Sequence, residues 1–262
     1  MDGGGGGGGG EHSRQTIVEI ILKGRGSRLR TDFLEPIHIR EGHCAEIGLK
    51  SFCFFNSIPN ITKGVNNCIK ISLPGRKSYD VIELDTGAYE LSSIAKEIVE
   101  WIKIKYPKVK NVEENFILSG NEATSRAEFT FREDYGFDMD TPHSMAAILG
   151  FSENRKERGI GKYRGDRIVD ISNVSSLLFN CNISEPNYIN EIQTPFLFNC
   201  TIDVPSGFRL TRELSSVVYK NVNTNQISSV CVWISDQSGR VVDLRNEVVL
   251  VTLSLRLTSP AI

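Results

Sequence analysis

Hydrophobic and polar positions alternate most cleanly at the end of the chain. Ile227 to Ile234 reads Ile-Ser-Ser-Val-Cys-Val-Trp-Ile, and the run breaks at Asp236-Gln-Ser-Gly239. The chain resumes as Arg240-Val-Val-Asp-Leu244, and Val248–Leu257 follows. In that last run Val249, Val251, Leu253, Leu255 and Leu257 fall on one face, with Leu250, Thr252, Ser254 and Arg256 on the other. Period-two alternation in β-branched residues, broken by turn residues, predicts two strands of an antiparallel sheet forming a final hairpin. A parallel α/β enzyme would instead show continuous apolar strands between helices.

The same pattern predicts strands upstream at Thr16–Leu22, at Leu34–Arg40 with Pro36 marking a start or an edge, and at Ala45–Phe55. Cys68–Leu73 and Tyr79–Leu84 flank a Pro74-Gly75 turn. Phe116–Ser119, Ala123–Phe131, Arg167–Ile171, Ser176–Ile183, Pro195–Val204 and Val217–Asn221 continue the series. Helical spacing occurs once at length: Leu91, Ile94, Ala95, Ile98, Trp101 and Ile102 form one stripe, stopped by Pro107. It predicts a helix over Leu91–Ile104 packed on the sandwich. A shorter helix is expected at Pro142–Leu149, with Gly150 as its C-terminal cap. Ser152–Asp166 reads as a polar loop. The fold class is therefore all-β with minor helices, a single jelly-roll β-sandwich carrying loop and helix insertions. Residues 1–14, with eight consecutive glycines, read as a flexible arm, residues 15–257 as the jelly-roll domain and 258–262 as a short tail.

Composition changes this picture little. Hydrophobic residues are 40% and charged residues 24% of the 262, which suits a chain with a real core. The formal charge of -2, from 30 basic and 32 acidic side chains, excludes a globally basic nucleic-acid binder. Six cysteines without any C-x-x-C pair sit beside apolar residues, as in Phe52-Cys53-Phe54, and favour reduced core thiols over zinc or disulfides. No run of 18 apolar residues suggests a membrane span. The start lacks the apolar core of a secretory signal, so the N-x-S/T sequons at Asn60, Asn173, Asn182 and Asn199 read as turn chemistry.

Candidate chemistry is sparse. His12, His38, His43 and His143 lack metal-pair spacing, and no G-x-S-x-G, H-E-x-x-H or Walker A motif occurs. Glu133, Asp134, Asp138 and Asp140 lack the EF-hand register. Gly159, Gly161 and Gly165 have the wrong spacing and setting for a dinucleotide loop. No catalytic residue, cofactor or metal is expected. One candidate interaction site remains, the loop carrying Arg155, Lys156, Arg158, Lys162 and Arg164. It could form a basic lip for an acidic partner or nucleic acid, although charge runs are usually solvated faces. It also spells Arg164-Gly165-Asp166, an integrin-type tripeptide of a length that arises by chance.

Several blocks taken in order resemble one family. They are Leu49–Ile61 (Leu-Lys-Ser-Phe-Cys-Phe-Phe-Asn-Ser-Ile-Pro-Asn-Ile), Ile82–Ile94, Ser144–Phe151, Ile168–Val174, Phe179–Ile183 and Ile234–Leu244. Over about Ala45 to Leu257 the chain resembles the minor capsid (penton) protein of Polinton/Maverick elements and adintoviruses, virus-like DNA transposons. That resemblance implies a single jelly roll assembling as a homopentamer at icosahedral vertices. It also implies contact with double-jelly-roll major capsid trimers, with packaged DNA nearby and no membrane partner. It implies a place in the virion, after assembly in the nucleus or cytoplasm, and it carries over no catalytic residue. Residues 1–44 and the loop Ser152–Asp166 fall outside it. The rival from the residues alone is a ligand- or carbohydrate-binding jelly roll, which would need aromatics exposed on one sheet face. The Asn56–Asn67 and Ser184–Gln193 loops, mixing Ile, Pro and Tyr with polar groups, are expected to contribute intersubunit contacts.

Overall fold

The two C-terminal runs are strands, but they are not partners. In the computed structural model, which describes residues 15–171, 174–189 and 191–259, they lie in different sheets. In chain order the protein begins with β1 (Gln15–Arg25), β2 (Arg28–His38) and β3 (Cys44–Phe55). A second set follows: β4 (Cys68–Ser72), β5 (Asp80–Glu83), α1 (Leu91–Lys105), α2 (Val112–Asn115), β6 (Phe116–Asn121), β7 (Arg126–Phe131), β8 (Gly136–Asp138), α3 (Ala146–Leu149), β9 (Lys156–Arg158) and β10 (Gly161–Arg164). The last set is β11 (Ser176–Cys181), β12 (Asn187–Ile189), β13 (Ile192–Thr194), β14 (Phe196–Thr201), β15 (Arg209–Glu213), β16 (Lys220–Asn221), β17 (Gln226–Asp236) and β18 (Val248–Thr258). The first and last sets form one compact unit, and Ile58–Val174 forms another. The anticipated arm at residues 1–14, residues 260–262 of the tail and the Asn173 sequon lie outside the described residues.

The first unit is a jelly roll, and its strand order shows why. One sheet runs β1-β18-β3-β15, with β16 also on β3, and the other runs β14-β11-β17-β2. Eight main strands occur in the sequence: β1, β2, β3, β11, β14, β15, β17 and β18. The first pairs with the last (β1 with β18), the second with the seventh (β2 with β17), the third with the sixth (β3 with β15) and the fourth with the fifth (β11 with β14), all antiparallel. The chain is thus a ribbon doubled on itself. Lateral pairing of β18 with β3 and of β11 with β17 rolls that ribbon into two sheets.

Alternation then fills the space between the sheets. Ile20 and Leu22 of β1, Leu49, Phe52 and Phe54 of β3, Leu177 and Phe179 of β11, Val230, Val232 and Ile234 of β17, and Val249, Val251, Leu253 and Leu255 of β18 are buried. Phe52 meets Phe179 across the gap, with ring centroids 4.3 Å apart. At Gly48 a side chain is sterically barred: an added Cβ would lie 2.4 Å from Val217 Cγ1 and 2.7 Å from the Val218 carbonyl oxygen. A buried amide, Asn180, donates to Ser235 Oγ (2.9 Å) and the Trp233 carbonyl (3.2 Å), and accepts from Thr194 Oγ1 (2.9 Å). Its desolvation is therefore offset by hydrogen bonds on both ends of the amide.

The second unit has its own core. Sheets β10-β7-β6 and β5-β4-β8-β9 surround an aromatic cluster of Phe116, Phe129, Phe131, Tyr135, Phe137 and Phe151. Phe129 and Phe137 stack with centroids 4.6 Å apart. Helix α1 buries Ile94, Ile98, Val99 and Ile102 in that cluster. This corrects the expected packing of the helix over the sandwich: its stripe completes the second unit's core. Trp101, placed by spacing in the same stripe, is only half-buried, with the Lys105 ammonium 4.5 Å from its ring centre.

Gly150 caps α3 as anticipated, in the left-handed region (φ 74°), donating to the Ala146 and Ala147 carbonyls. Two other expectations fail. Arg167–Ile171 is irregular, since its backbone hydrogen bonds go singly to Gly150, Ser125 and Ile148 rather than to one strand. Ser152–Asp166 is not a free loop, because β9 and β10 join the edges of different sheets.

Candidate functional site

The five basic residues singled out from the sequence do come together, and each has a carboxylate partner. Arg155 pairs with Glu157 (2.7 Å) and Asp166 (2.9 Å), and Lys156 with Asp138 (2.9 Å). Arg158 pairs with Asp134 (2.6 Å). Lys162 (3.8 Å) and Arg164 (3.2 Å) share Glu128, which is itself buried. The pairing has a local cause. Strands β9 and β10 lie against β8 and β7, whose sequences carry Asp138 and Glu128 on the facing register. A buried carboxylate such as Glu128 is costly alone, and two cations offset that cost. Glu157 and Asp166 belong to the loop's own sequence. Its partners on Asp134, Asp138 and Glu128 come from outside the loop and were out of reach. In this segment of β9 and β10 the five cations are charge-paired rather than bare.

The tripeptide Arg164-Gly165-Asp166 is likewise tied down. Gly165 is buried, with its N–H donating to the Ala127 carbonyl (2.8 Å). Asp166 accepts from the Ser152 N–H and hydroxyl, both at 2.8 Å. Those hydrogen bonds, with Arg155 and Arg126 nearby, hold its carboxyl below the usual range.

Among the described residues no three His, Cys, Asp or Glu side chains converge as metal ligands. No helix among them is long and apolar enough to cross a membrane. His143 adopts a positive φ (58°) at a turn, where its carbonyl accepts from the Cys68 N–H. His38 and His43 line a pocket of about 270 Å³ with Thr16, Arg40 and Leu257, at the end of β2. The six cysteines are free thiols, with Cys68, Cys181 and Cys200 buried and Cys44 exposed.

The two long edge strands of the jelly roll carry some of the exposed apolar side chains. β1 and β2 are edge strands of eleven residues each. β1 presents Ile17 (56% exposed) and Ile21 (63%) outward, while Ile20 and Leu22 face the core. On β2 the pairing jumps from Asp32–Ser229 to Ile37–Ile227, so Phe33–Pro36 bulge from the sheet. Leu34 stands fully exposed on that bulge, and Pro36 sits where the sequence expected an edge.

The two loops expected at interfaces divide. Asn56–Asn67 is mostly buried and self-bonded: Asn60 Nδ2 donates to the Tyr89 carbonyl (2.6 Å) and Asn67 Nδ2 to the Leu84 carbonyl (2.9 Å), leaving only Val65 as an exposed apolar group. The Ser184–Gln193 segment contains the β12–β13 ladder and exposes Tyr188. The aromatics Phe52, Phe54, Phe129 and Phe131 are buried, Phe196 and Phe198 half-buried, and Phe55 partly exposed under the Arg209 guanidinium, 5.0 Å from its ring centre.

No family model matches the chain, and no curated protein does. Among solved structures, the chain is similar to the crystal structure of a selenomethionine-labelled mavirus penton protein. The likeness has 13% sequence identity and a TM-score of 0.49, and covers 92% of this chain and 99% of that one. The fold assigned above rests on the strand order, not on that likeness.

Proposed function

We propose that the chain is a structural capsid subunit, the penton-type protein of a Polinton- or adintovirus-like particle, and that it assembles as a homopentamer at the vertices. The observation that carries the reading is the pair of long edge strands, β1 and β2, bearing Ile17, Ile21 and the bulged Leu34. A monomer gains nothing by holding a leucine fully in water on a strand edge, and such edges invite pairing with another chain. In a closed ring each subunit offers one patch to a different patch of its neighbour. A bulged apolar knob on an edge suits that heterologous contact. The resemblance of the ordered blocks from Leu49 to Leu244 supports the family reading, and the pentamer, the major capsid partner, the virion location and a non-enzymatic role are proposed with it.

The test is a double variant, Ile21→Glu with Leu34→Glu. Both side chains are exposed in the free chain, so thermal stability should stay within a few degrees of the parent. Assembly, read by analytical ultracentrifugation, should be lost. A variant that still assembles as the parent does would remove the edge strands from the interface. The rival, a carbohydrate-binding jelly roll, finds no row of exposed aromatics on a sheet face of the described residues.

A further inference from the structure

Two cations, Arg76 and Lys105, meet at the Tyr106 ring in the second unit, and three more, Lys77, Lys108 and Lys110, stand within four residues of Arg76 or Tyr106 in the chain. α1 ends in Lys103-Ile-Lys-Tyr… with the full run Lys103-Ile104-Lys105-Tyr106-Pro107-Lys108-Val109-Lys110. The segment after the Pro74-Gly75 turn brings Arg76 to the same place, with its guanidinium 4.7 Å from the centre of the Tyr106 ring, and Lys77 follows it in the chain. The Lys105 ammonium lies 5.7 Å from that ring and 4.5 Å from the Trp101 ring. One carboxylate, Asp80, serves this group. It accepts from the Tyr106 hydroxyl (2.7 Å) and from Lys105 (3.0 Å), with Arg76 at 4.0 Å. Burial raises the Asp80 pKa, but those hydrogen bonds and charges outweigh it, so the carboxyl stays ionised below its usual range.

The rest of the charge is not compensated. Lys77, Lys108 and Lys110 are exposed and have no carboxylate within ion-pair distance among the described residues. Glu113 on α2 is held by Lys103, and Glu114 follows it. Favourable interaction with the helix dipole accounts for Lys103 and Lys105 at the end of α1. It does not account for Arg76 and Lys77 from another element, or for Lys108 and Lys110 beyond the helix. The β9–β10 segment shows the contrast within the same unit, since Arg155, Lys156, Arg158, Lys162 and Arg164 are all paired.

We infer that this face, Arg76, Lys77, Lys105, Lys108 and Lys110 around Tyr106, binds the phosphate backbone of nucleic acid. Arg76 and Lys105 are held in place on aromatic rings, and the exposed, unpaired Lys77, Lys108 and Lys110 are near them in the chain. Fixed and unpaired cations in one stretch of surface suit a line of phosphates and read no base sequence. An acidic protein partner would be expected to use an apolar centre with the charges as a rim. Here the charges are the centre. The inference does not depend on the pentamer, because it concerns one unit of a single chain.

The test is fluorescence anisotropy of a short labelled DNA duplex with the full chain, at salt from about 50 to 200 mM, a range over which phosphate contacts weaken strongly. Binding should be steeply salt-dependent and indifferent to sequence. The triple variant Lys77→Gln, Lys108→Gln, Lys110→Gln should lose about tenfold or more in affinity at low salt, with the log–log salt slope reduced by roughly two to three. Replacement of the same lysines by arginine should restore both. A control, Lys156→Gln with Lys162→Gln in the charge-paired β9–β10 segment, should bind within about twofold of the parent, since those cations are already engaged. All these side chains are exposed, and matching melting curves check that the variants fold. Parental affinity in the triple variant would overturn the assignment. So would failure of the parent to bind the duplex at low salt while it binds polyglutamate. A chain that binds DNA in this way but stays monomeric, alone and with the major capsid protein, would sink the pentamer and leave this inference standing.

Discussion

Arg158 and Asp134 face each other in a two-pronged ion pair, Nε to Oδ1 at 3.0 Å and Nη2 to Oδ2 at 2.6 Å. The third arm of the guanidinium, Nη1, donates to Ser72 Oγ at 3.0 Å. An arginine that looks free in sequence is thereby committed to holding β9 against its own unit. The hydrogen bond from Arg158 sets Asp134 below the ordinary carboxylate range. In Arg158→Gln the Asp134 carboxyl should therefore titrate at higher pH, followed by its side-chain carbonyl shift in NMR. The linkage sign follows: a depressed carboxylate stabilises the fold above its unfolded pKa and loses that contribution as pH falls through the folded value. An unmoved Asp134 titration would show that the pair does not persist in solution.

Burial separates two positions that helical spacing groups together. Ile98 of α1 is fully buried in the aromatic core, whereas Trp101 is half-buried at its margin. Ile98→Asp should cost about 4 kcal/mol or more, since it buries an unpaired charge. Trp101→Asp should cost clearly less, and its charge would lie beside Lys105. Urea denaturation of the two variants checks this, and equal losses would contradict the placement of the helix.

Gly48 tests the jelly roll itself. Any side chain there meets the Val217 side chain and the Val218 backbone, and backbone cannot rotate aside. Gly48→Ala should destabilise by about 1–3 kcal/mol through overpacking, which denaturant titration would report. A neutral result would mean that the segment around Val218 does not cover β3.

Two buried acids point to alkaline sensitivity. Burial pushes the Cys181 thiol up to about 12 from 9.0, and the Tyr135 hydroxyl up to about 12 from 10.0. Both raised groups stabilise the fold fully below their unfolded pKa values and cease to do so as pH rises through the folded ones. Stability should therefore fall between about pH 9 and 12. In Cys181→Ala that fall should become shallower, while its onset stays near pH 9, because burial also raises the Cys68 and Cys200 thiols. In the native protein, exposed Cys44 should react with a thiol reagent first, with Cys181 silent until denaturation. Fast labelling of Cys181 would contradict its burial.

What the sequence could reveal follows from the range of each interaction. Alternation in Val248–Leu257 placed Val249, Val251, Leu253 and Leu255 on one buried face, because the side-chain period of a strand is a local property. The same pattern could not name partners. β17 and β18 are close in sequence and each is apolar on its inner face, yet β17 pairs with β2 and β11 while β18 pairs with β1 and β3. Pairing across more than two hundred residues, as between Ile20 and Leu253, leaves no trace in a local window. The ion pairs of the β9–β10 segment are hidden for the same reason: Glu128 and Asp138 reach its cations only through the sheets. The cluster at Tyr106 was half legible. Lys103, Lys105, Lys108 and Lys110 stand together in the chain, but the approach of Arg76 to the Tyr106 ring is tertiary. Leu34 was placed on a strand near an edge-marking proline, while its bulge depends on the register with β17.

Assembly is the central claim, and mass in solution tests it most directly. Mass photometry of the purified chain, alone and mixed with its major capsid protein, should show a species of five chain masses and its entry into particles with that partner. A chain that stays monomeric in both settings and never enters particles contradicts the capsid reading and leaves a binding module as the alternative.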